Sequence, residues 1–313
     1  MTSLADIKRS PRLRVVHMPI SPMLFPNIRT LFFMKANWNK IPIISNYHGD
    51  FRIALMNRYH NQNLFGLLCS APTAAVTPQI LRMNCGLVVN SPSMAQMLQQ
   101  RYHIEKNVVV IPNGIDDGLF TQKIHPLELN GDPSIFCHGR LSYEKGIDLL
   151  LNSISQLKKE DREHLRLYLA GAGPLREKLE DLSKRLGVSE NIIYTGQLSH
   201  AEILQYLKSV DLAIYPSRYE SFSLAILEAL AVADCPVCMS NCAGICGFLR
   251  RGDDLIQFNP EIPNILRLLQ SQISGDLFTN GLVQRQKEFA KRFLWSNIVK
   301  QYINYYRKIA LSL

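Results

Sequence analysis

From Ser134 onwards, the sequence alternates short apolar runs with segments in which apolar residues recur every three to four positions. The short runs have the length of buried strands, and the longer segments have the period of amphipathic helices. Such alternation builds a parallel sheet covered by helices on both faces, with ligands at the carboxyl ends of its strands. The predicted strands are 134–139, 165–171, 191–196, 211–217, 236–240 and 254–258, and the predicted helices are 149–159, 174–187, 199–209 and 223–232.

The first 125 residues are also predicted to be α/β, but they alternate less regularly, and four strands are few for an independent sheet. Residues 113–133 are rich in Gly, Asp, Asn and Pro, which is typical of a linker between domains. The predicted strands are 13–18, 41–46, 85–90 and 107–112, and the predicted helices are 92–101 and part of 27–38. The tail is predicted to be largely helical, with most of these residues in core contacts: Phe293, Trp295, Ile298, Tyr302, Tyr305 and Tyr306.

The composition fits a folded chain of two ordinary domains. With 313 residues, 47% of them hydrophobic and 19% charged, the chain has a globular rather than a disordered balance. No run of 18 apolar residues occurs, and the N-terminus does not resemble a secretory signal. The seven cysteines are most simply reduced thiols, which predicts a cytoplasmic protein.

The net charge of +9 is concentrated in the front of the chain. Residues 1–125 hold 13 Lys and Arg against 5 Asp and Glu, whereas residues 126–313 hold 22 against 21. A basic face attracts phosphates, anionic lipid headgroups or nucleic acid. No nucleic-acid-binding module is recognisable, so no nucleic acid is expected. Peripheral contact with a membrane surface and ordinary solubilising charge remain as alternatives.

The segment CHGRLSYEKG, residues 137–146, places Arg140 and Lys145 just beyond a predicted strand, where the next helix begins. Cations of this kind bind a diphosphate, and the amino end of the helix adds partial positive charge. Two surface cations flanking a loop would give the same pattern. The segment is therefore a candidate diphosphate site that needs support from elsewhere in the chain.

The segment AGAGPL, residues 170–175, places Gly171 and Gly173 between a predicted strand and a helix that has Pro174 in its first turn. Glycine lets a backbone approach a ligand closely. A tight strand-to-helix turn, which is the commoner reason for such a pair, explains the two glycines without a ligand.

The segment PSRYESFSLAILEAL, residues 216–230, places Glu220 in a loop and Glu228 eight residues later in the next helix. The amides of Phe222, Ser223 and Leu224 open that helix and have no intrahelical acceptors. They form a predicted anion pocket beside two carboxylates, which accept hydrogen bonds from the vicinal hydroxyls of a sugar or a ribose. Either glutamate alone would be a solvated helix charge. The combination favours a binding site.

Two further features carry weaker signals. His48 follows a predicted front strand and could donate to a transferred group or an acceptor, although a structural histidine is an equal alternative. Four cysteines lie within 12 residues, but their spacing is not that of a zinc site: Cys235, Cys238, Cys242 and Cys246. Because the sequence has neither a Gly-x4-Gly-Lys-Ser/Thr loop nor an Asp-x-Asp pair, a metal-held nucleotide is not expected.

The order of five segments resembles the retaining glycosyltransferase family 4, which has the GT-B fold. The segments are IPNGIDDGLF, GRLSYEKGIDLLL, LYLAGAGPL, IIYTGQL and DLAIYPSRYESFSLAILEALA, and the resemblance covers about 88–258. It implies two Rossmann-like parallel-sheet domains facing a cleft. The implied parts are an acceptor-side domain over 1–125, a nucleotide-sugar donor domain over 126–295 and a helix over 296–313 that crosses back to the first domain.

The resemblance also implies roles for single residues. Arg140 and Lys145 match the pair that holds the donor diphosphate, Glu220 matches the glutamate that contacts the transferred sugar, and Glu228 matches the one that binds ribose hydroxyls. His48 is similar to a histidine near the reacting carbon. The implied catalytic residues are thus Arg140, Lys145, Glu220 and His48, and the implied donor-binding residues are Gly139, Gly171, Gly173, Gly196, Gln197, Leu198, Phe222, Ser223, Leu224 and Glu228. No metal and no cofactor are expected.

The activity implied by the resemblance is transfer of a sugar from a nucleoside diphosphate sugar, with UDP or GDP as the carrier, to a lipid-linked or glycan acceptor with retained configuration. Two departures stand out: Ser221 and Ser223 occupy positions where glycine is common, and the front lacks the family's Gly-rich loop, so the first domain is expected to be incomplete. The alternatives are a non-catalytic or truncated nucleotide-sugar-binding subunit that needs a partner chain, and a GT-B epimerase. The sequence leaves the oligomeric state open.

Overall fold

Two all-parallel sheets organise the chain, one in each of two structural units. The computed structural model describes residues 15–19, 24–37, 42–47, 49, 77–105, 107–277 and 280–311. The first unit holds the described residues up to Pro112 and those from Asn297 onwards, and the second unit holds Asn113–Ser296. The α/β class predicted from the sequence is therefore confirmed.

The first unit contains a four-stranded parallel sheet in the order β1-β2-β3-β4. The strands are β1 (Val16–Pro19), β2 (Ile43–Tyr47), β3 (Gly86–Val89) and β4 (Val108–Val110), and the helices that follow β1 and β3 are α1 (Leu24–Ala36) and α2 (Pro92–Tyr102). Helix α2 begins where its sequence predicts, because the Ser91 hydroxyl accepts a hydrogen bond from the Met94 amide and Pro92 stands in the first turn.

The second unit contains a six-stranded parallel sheet in the order β10-β9-β8-β5-β6-β7. Its strands are β5 (Ser134–His138), β6 (Arg166–Ala170), β7 (Ile192–Gly196), β8 (Leu212–Tyr215), β9 (Val237–Ser240) and β10 (Gln257–Phe258). Its helices are α3 (Ile147–Ser155), α4 (Lys159–Arg162), α5 (Arg176–Arg185), α6 (His200–Ser209), α7 (Leu224–Val232), α8 (Ile262–Ile273) and α9 (Leu282–Lys291), and α10 (Trp295–Leu311) follows.

Helices cover both faces of this sheet, as the unbroken apolar runs predict. In β5, Ile135 and Cys137 point to one face, where they pack with α3, α5 and α8. Phe136 points to the opposite face, where α6, α7 and α9 pack. All six predicted runs contain a strand, although the last keeps only Gln257–Phe258, after Asp254 with its left-handed φ of 44°.

The division between the units falls after Pro112, earlier than the predicted boundary at residue 125. Ile115 and Leu119 are buried in the core of the second unit. The Ile115 amide donates to the Phe293 carbonyl at 2.9 Å, and the Trp295 amide donates to the Ile115 carbonyl at 3.0 Å. The predicted linker is therefore built largely into the second unit rather than spanning between two.

From Asn297 onwards, helix α10 belongs to the first unit, where Ile298, Tyr305 and Ile309 share a core with Ile44 and Val88. Two of the tail aromatics, Phe293 and Tyr305, are buried, whereas the Trp295 side chain at the start of the helix is exposed. Among the described residues, no helix is long and apolar enough to cross a membrane.

Candidate functional site

The predicted site residues of the second unit gather at one edge of its sheet. Strands β5 and β8 are neighbours at the centre of the sheet, and the strand order runs away from them in opposite directions. In open α/β sheets, ligands bind beyond the carboxyl ends of the strands at such a switch point. The loop after β5 carries Arg140 and Lys145, and the loop after β8 carries Glu220.

Lys145 and Glu220 form an ion pair that joins these two loops. The Lys145 Nζ lies 2.8 Å from the Glu220 Oε1, and the side chains are 21% and 9% exposed. The Ser217 hydroxyl donates to the same carboxylate oxygen at 2.7 Å. A cation and a carboxylate at the edge of solvent, each held by a partner, are suited to bind groups that carry phosphates and hydroxyls.

The backbone around Glu220 is fixed by the loop after β9. The Glu220 amide donates to the Cys242 carbonyl at 3.3 Å, and the Gly244 amide donates to the Glu220 carbonyl at 2.9 Å. Phe222, two residues later, is buried against Phe248 and Phe293 with edge-on ring contacts. Its side chain thus belongs to the core, so only its backbone amide can serve the predicted role.

Arg140 is exposed and makes no ion pair with any residue in the described ranges. Gly139 before it has a φ of 144°, and a side chain there would meet the Lys145 Cε at 3.7 Å. The Lys145 side chain therefore runs past Gly139 towards Glu220. Arg140 and Lys145 therefore lie at the same carboxyl edge of the sheet, and of these two cations Lys145 is the one paired with Glu220.

Gly171 and Gly173 serve the packing of neighbouring loops. A Cβ at Gly171, where φ is 130°, would lie 1.9 Å from the Gly139 carbonyl oxygen, and one at Gly173 would lie 2.3 Å from the Leu141 carbonyl oxygen. A hydrogen bond also joins the loops after β5 and β6, because the Leu141 amide donates to the Ala172 carbonyl at 3.0 Å. The close approach that requires these glycines is therefore to protein backbone, and the tight-turn alternative accounts for both.

The sequence does not reveal the ion pair that joins the loop after β8 to the segment after β5. Arg218 in the loop after β8 donates to both carboxylate oxygens of Asp148 on α3, at 2.7 and 2.6 Å. The same guanidinium donates to the Tyr143 carbonyl at 2.9 Å and stacks on the Tyr143 ring. Because Asp148 and Arg218 lie 70 residues apart, no local spacing predicts their contact.

We expect Asp148→Asn to destabilise the second unit by about 1–2 kcal/mol, since a charge-assisted bidentate pair is lost at a partly exposed position. The midpoint of thermal unfolding measures this loss. Asp181→Asn is the matched control, because Asp181 is largely exposed and its contact with Lys184 spans 3.6 Å. Equal midpoints for the two variants would contradict a structural role for the Arg218–Asp148 pair.

Helix α7 begins with a strained residue. Ser223, its first flanking residue, has a φ of 88°, a region that non-glycine residues rarely adopt, and its hydroxyl accepts a hydrogen bond from the Ile226 amide at 3.4 Å. Leu224 follows with an exposed side chain. The amides at this helix start have no intrahelical acceptors and, with the helix dipole, favour an anion beside Glu220.

Glu228 lies in the second turn of α7 and contacts the start of helix α6. Its Oε1 lies 3.5 Å from the His200 Nε2 at the start of α6. Burial raises the pKa of the Glu228 carboxyl, while the neighbouring His200 lowers it. The carboxylate is partly buried but still reachable from solvent, with 23% of the side chain exposed.

His138, the last residue of β5, is a second feature that the sequence did not reveal. Its ring stacks on Phe136 and its Nδ1 lies 2.9 Å from the Tyr215 hydroxyl. Burial, followed by the charges of Lys145 and His200, lowers the His138 pKa to about 3. The His138 ring is therefore neutral, and its contacts with Phe136 and Tyr215 pack the ends of β5 and β8 against each other.

The other predicted donor-binding residues of the second unit follow strand β7. Gly196 is the last residue of β7, and Gln197 and Leu198 lead from it towards α6, with Gln197 exposed and Leu198 packed on the core. His48 lies outside the described residues.

The four clustered cysteines do not converge. Cys235 packs in the core on one face of the sheet and Cys238 in the core on the other. Among the described residues, no group of three or more His, Cys, Asp and Glu side chains is placed to hold a metal ion. The zinc alternative is therefore not supported.

Comparison with solved structures shows the class of fold. The Anabaena protein Alr3699/HepE in complex with UDP-glucose superposes with a TM-score of 0.71 at 16% sequence identity, over 94% of this chain and 79% of that one. The two parallel sheets of this chain thus belong to the GT-B class of glycosyltransferase folds.

The chain belongs to the glycosyl transferases group 1 family, whose model matches residues 121–288. The model of Glycosyltransferase Family 4 matches residues 4–119. The family predicted from the order of the sequence motifs is confirmed.

Two curated relatives are similar over much of the chain. An uncharacterised glycosyltransferase of Methanocaldococcus jannaschii is 29% identical over 243 residues, which are 74% of this chain and 61% of the relative. The glycogen synthase of Mycobacterium tuberculosis is 30% identical over 213 residues, which are 67% of this chain and 49% of the relative. The chain thus spans about half to three fifths of the length of these relatives.

Proposed function

We propose that this chain transfers a sugar from a nucleoside diphosphate sugar to a lipid-linked or glycan acceptor, with retention of the anomeric configuration and without a metal. The observation that carries the proposal is the Lys145–Glu220 pair, with 2.8 Å between Nζ and Oε1, at the switch point of the second sheet. Membership of the glycosyl transferases group 1 family supports the reaction class. The donor class is supported by the structurally similar Anabaena protein, which is in complex with UDP-glucose.

In this proposal the donor diphosphate lies against Lys145, Arg140 and the amino end of α7. The bond between the anomeric carbon and the phosphate oxygen breaks, and its electron pair stays on the diphosphate. Fixed cations and helix amides stabilise that developing charge, which is the largest electrostatic change in the reaction. They do so without a metal ion, so chelators are expected to leave turnover unchanged.

Retention follows if the acceptor attacks from the face that the diphosphate leaves. The acceptor oxygen bonds to the anomeric carbon, and its proton passes to an oxygen of the departing phosphate. Glu220 accepts hydrogen bonds from hydroxyls of the transferred sugar in this arrangement. It is already engaged with Lys145 and Ser217, so it acts as a fixed acceptor rather than as a nucleophile.

Glu228 binds the ribose hydroxyls in this proposal. We expect Glu228→Gln to weaken binding of the nucleoside diphosphate about tenfold, because hydrogen bonds to a charged acceptor contribute about 1.5–3 kcal/mol. The thermal midpoint is expected to stay equal or rise. Burial raises the folded-state pKa of Glu228, so stability falls as the pH rises through that pKa, and a neutral amide removes this cost.

Calorimetry and thermal unfolding of Glu228→Gln and of Glu177→Gln, at an exposed site on α5, separate the two effects. Tighter or equal nucleotide binding in Glu228→Gln would contradict a ribose contact. A lowered midpoint with unchanged binding would make Glu228 a stabilising residue only.

Incubation of the purified 313-residue chain with UDP-, GDP- and ADP-sugars tests the proposed reaction, with release of the nucleoside diphosphate followed in the presence and absence of membrane lipid extract. Release that depends on the extract, with the α or β configuration of the donor kept in the product, is the expected result. Nucleotide binding without release from any donor would contradict the transferase and favour a binding subunit. The basic front of the chain fits work at an anionic membrane surface on the cytoplasmic side.

A further inference from the structure

His200 lies beside Glu228, the second carboxylate of the site. It is the first residue of α6, and the helix start is fixed by a capping box, in which Ser199 and Glu202 exchange hydrogen bonds between side chain and backbone. The loop before it leaves the carboxyl end of β7. His200 therefore stands at the same edge of the sheet as Lys145 and Glu220, on the side of α7 that carries Glu228.

The contact between His200 and Glu228 joins two helices. The His200 Nε2 and the Glu228 Oε1 are 3.5 Å apart, and 56% of the His200 side chain is exposed. Among the described residues, the His200 imidazole is the polar side chain that lies against this carboxylate. Because the His200 imidazole is exposed, it contributes little to the hydrophobic core. Its contact with the half-buried Glu228 carboxylate is better explained if His200 orients that carboxylate.

The two glutamates of the site are thus held by different partners. Glu220 is held by Lys145 and Ser217 at the sheet centre, whereas the Glu228 Oε1 lies 3.5 Å from the His200 Nε2 of the neighbouring helix. We propose that His200 is a positioning residue for the nucleoside: it turns the Glu228 carboxylate so that its free oxygen accepts the ribose hydroxyls. This inference rests on the proposed function, in which Glu228 is the ribose contact.

The role proposed for His200 depends on the ribose hydroxyls of the ligand. If His200 acts through Glu228, its removal weakens only those ligands that carry ribose hydroxyls. If His200 instead touched the diphosphate or the base, its removal would weaken ribonucleotides and 2′,3′-dideoxynucleotides alike. A purely structural role would lower the midpoint of unfolding in proportion to any loss of binding.

Calorimetric titration of UDP, GDP and ADP, and of their 2′,3′-dideoxy forms, tests this with the wild type, His200→Ala, His200→Gln and His164→Ala. His164 is an exposed histidine before β6 and serves as the matched control. We expect His200→Ala to weaken the bound ribonucleotide about three- to tenfold, the range of one hydrogen bond, and to leave its dideoxy form unchanged. His200→Gln, which keeps a donor, restores most of the affinity, and His164→Ala has no effect.

Equal weakening of both forms, or no weakening of either, would overturn the role of His200 while leaving the proposed function intact. Absence of binding of all three ribonucleotides to the wild type would overturn the proposed function, and this inference with it. An equal fall in the thermal midpoints of His200→Ala and His200→Gln would also contradict a positioning role for His200, because it would show that the residue stabilises the fold.

Discussion

Lys145→Ala is expected to lower turnover tenfold to a few hundredfold, because it removes the cation that stabilises the leaving diphosphate. A charge-assisted hydrogen bond contributes about 1.5–3 kcal/mol, and each 1.4 kcal/mol is about a tenfold change in rate. The substitution also leaves the Glu220 carboxylate, which is only 9% exposed, without its ammonium partner. Turnover and the Michaelis constant for the donor, measured at saturating acceptor, separate the loss of transition-state stabilisation from the loss of donor binding.

Lys184→Ala is the control for this variant, because Lys184 is 70% exposed on α5 and its contact with Asp181 is long. We expect its turnover to equal that of the wild type. Unchanged turnover in Lys145→Ala would contradict the assignment of the diphosphate site, whereas a loss in both variants would indicate a general effect of positive charge on the unit.

Gly171→Ala is expected to destabilise the second unit by about 3–5 kcal/mol, which combines a strained backbone with an overpacked contact. A methyl group there would lie 1.9 Å from the Gly139 carbonyl oxygen, a backbone atom that cannot move freely because the two loops are joined by hydrogen bonds. The displaced loop carries Arg140, so binding of the nucleoside diphosphate is expected to fall as well. The thermal midpoint and the nucleotide affinity are the two measurements.

Gly187→Ala separates the cost of backbone strain from the cost of the steric clash expected in Gly171→Ala. Gly187 also has a left-handed φ, 66°, but a Cβ there would meet nothing within 4 Å. We expect a loss of about 1–2 kcal/mol, the cost of the left-handed conformation alone. Equal destabilisation of the two variants would show that the close approach of the loops at Gly171 has no energetic consequence.

Local pattern predicted most of the second sheet, because each strand there is buried on both faces and must be a continuous apolar run. Strand β10 was predicted too long: Asp254, the first residue of the predicted run, has a left-handed φ that its hydropathy does not show, and pairing begins only at Gln257. The boundary between the units was predicted too late for a similar reason. Residues 113–125 have the composition of a linker, yet Ile115 and Leu119 enter the core of the second unit.

The site was predictable in part. Lys145 and Glu220 stand beside strand ends, and strand ends of a parallel sheet share an edge, so their proximity follows from position. The Arg218–Asp148 and His200–Glu228 contacts depend on how separate helices and loops pack, which no local spacing encodes. The role of Gly171 was ambiguous for the same reason, since only the packed structure shows that the atom it approaches belongs to Gly139.

Direct titration of UDP, GDP and ADP into the 313-residue chain, in wild-type and Lys145→Ala forms, tests the central claim most directly. The account predicts that one of the three binds the wild type and that Lys145→Ala weakens it about tenfold or more, because the diphosphate loses a charge-assisted contact. Failure of all three to bind the wild type, or equal affinity in the two forms, would contradict a nucleoside diphosphate site at the Lys145–Glu220 pair.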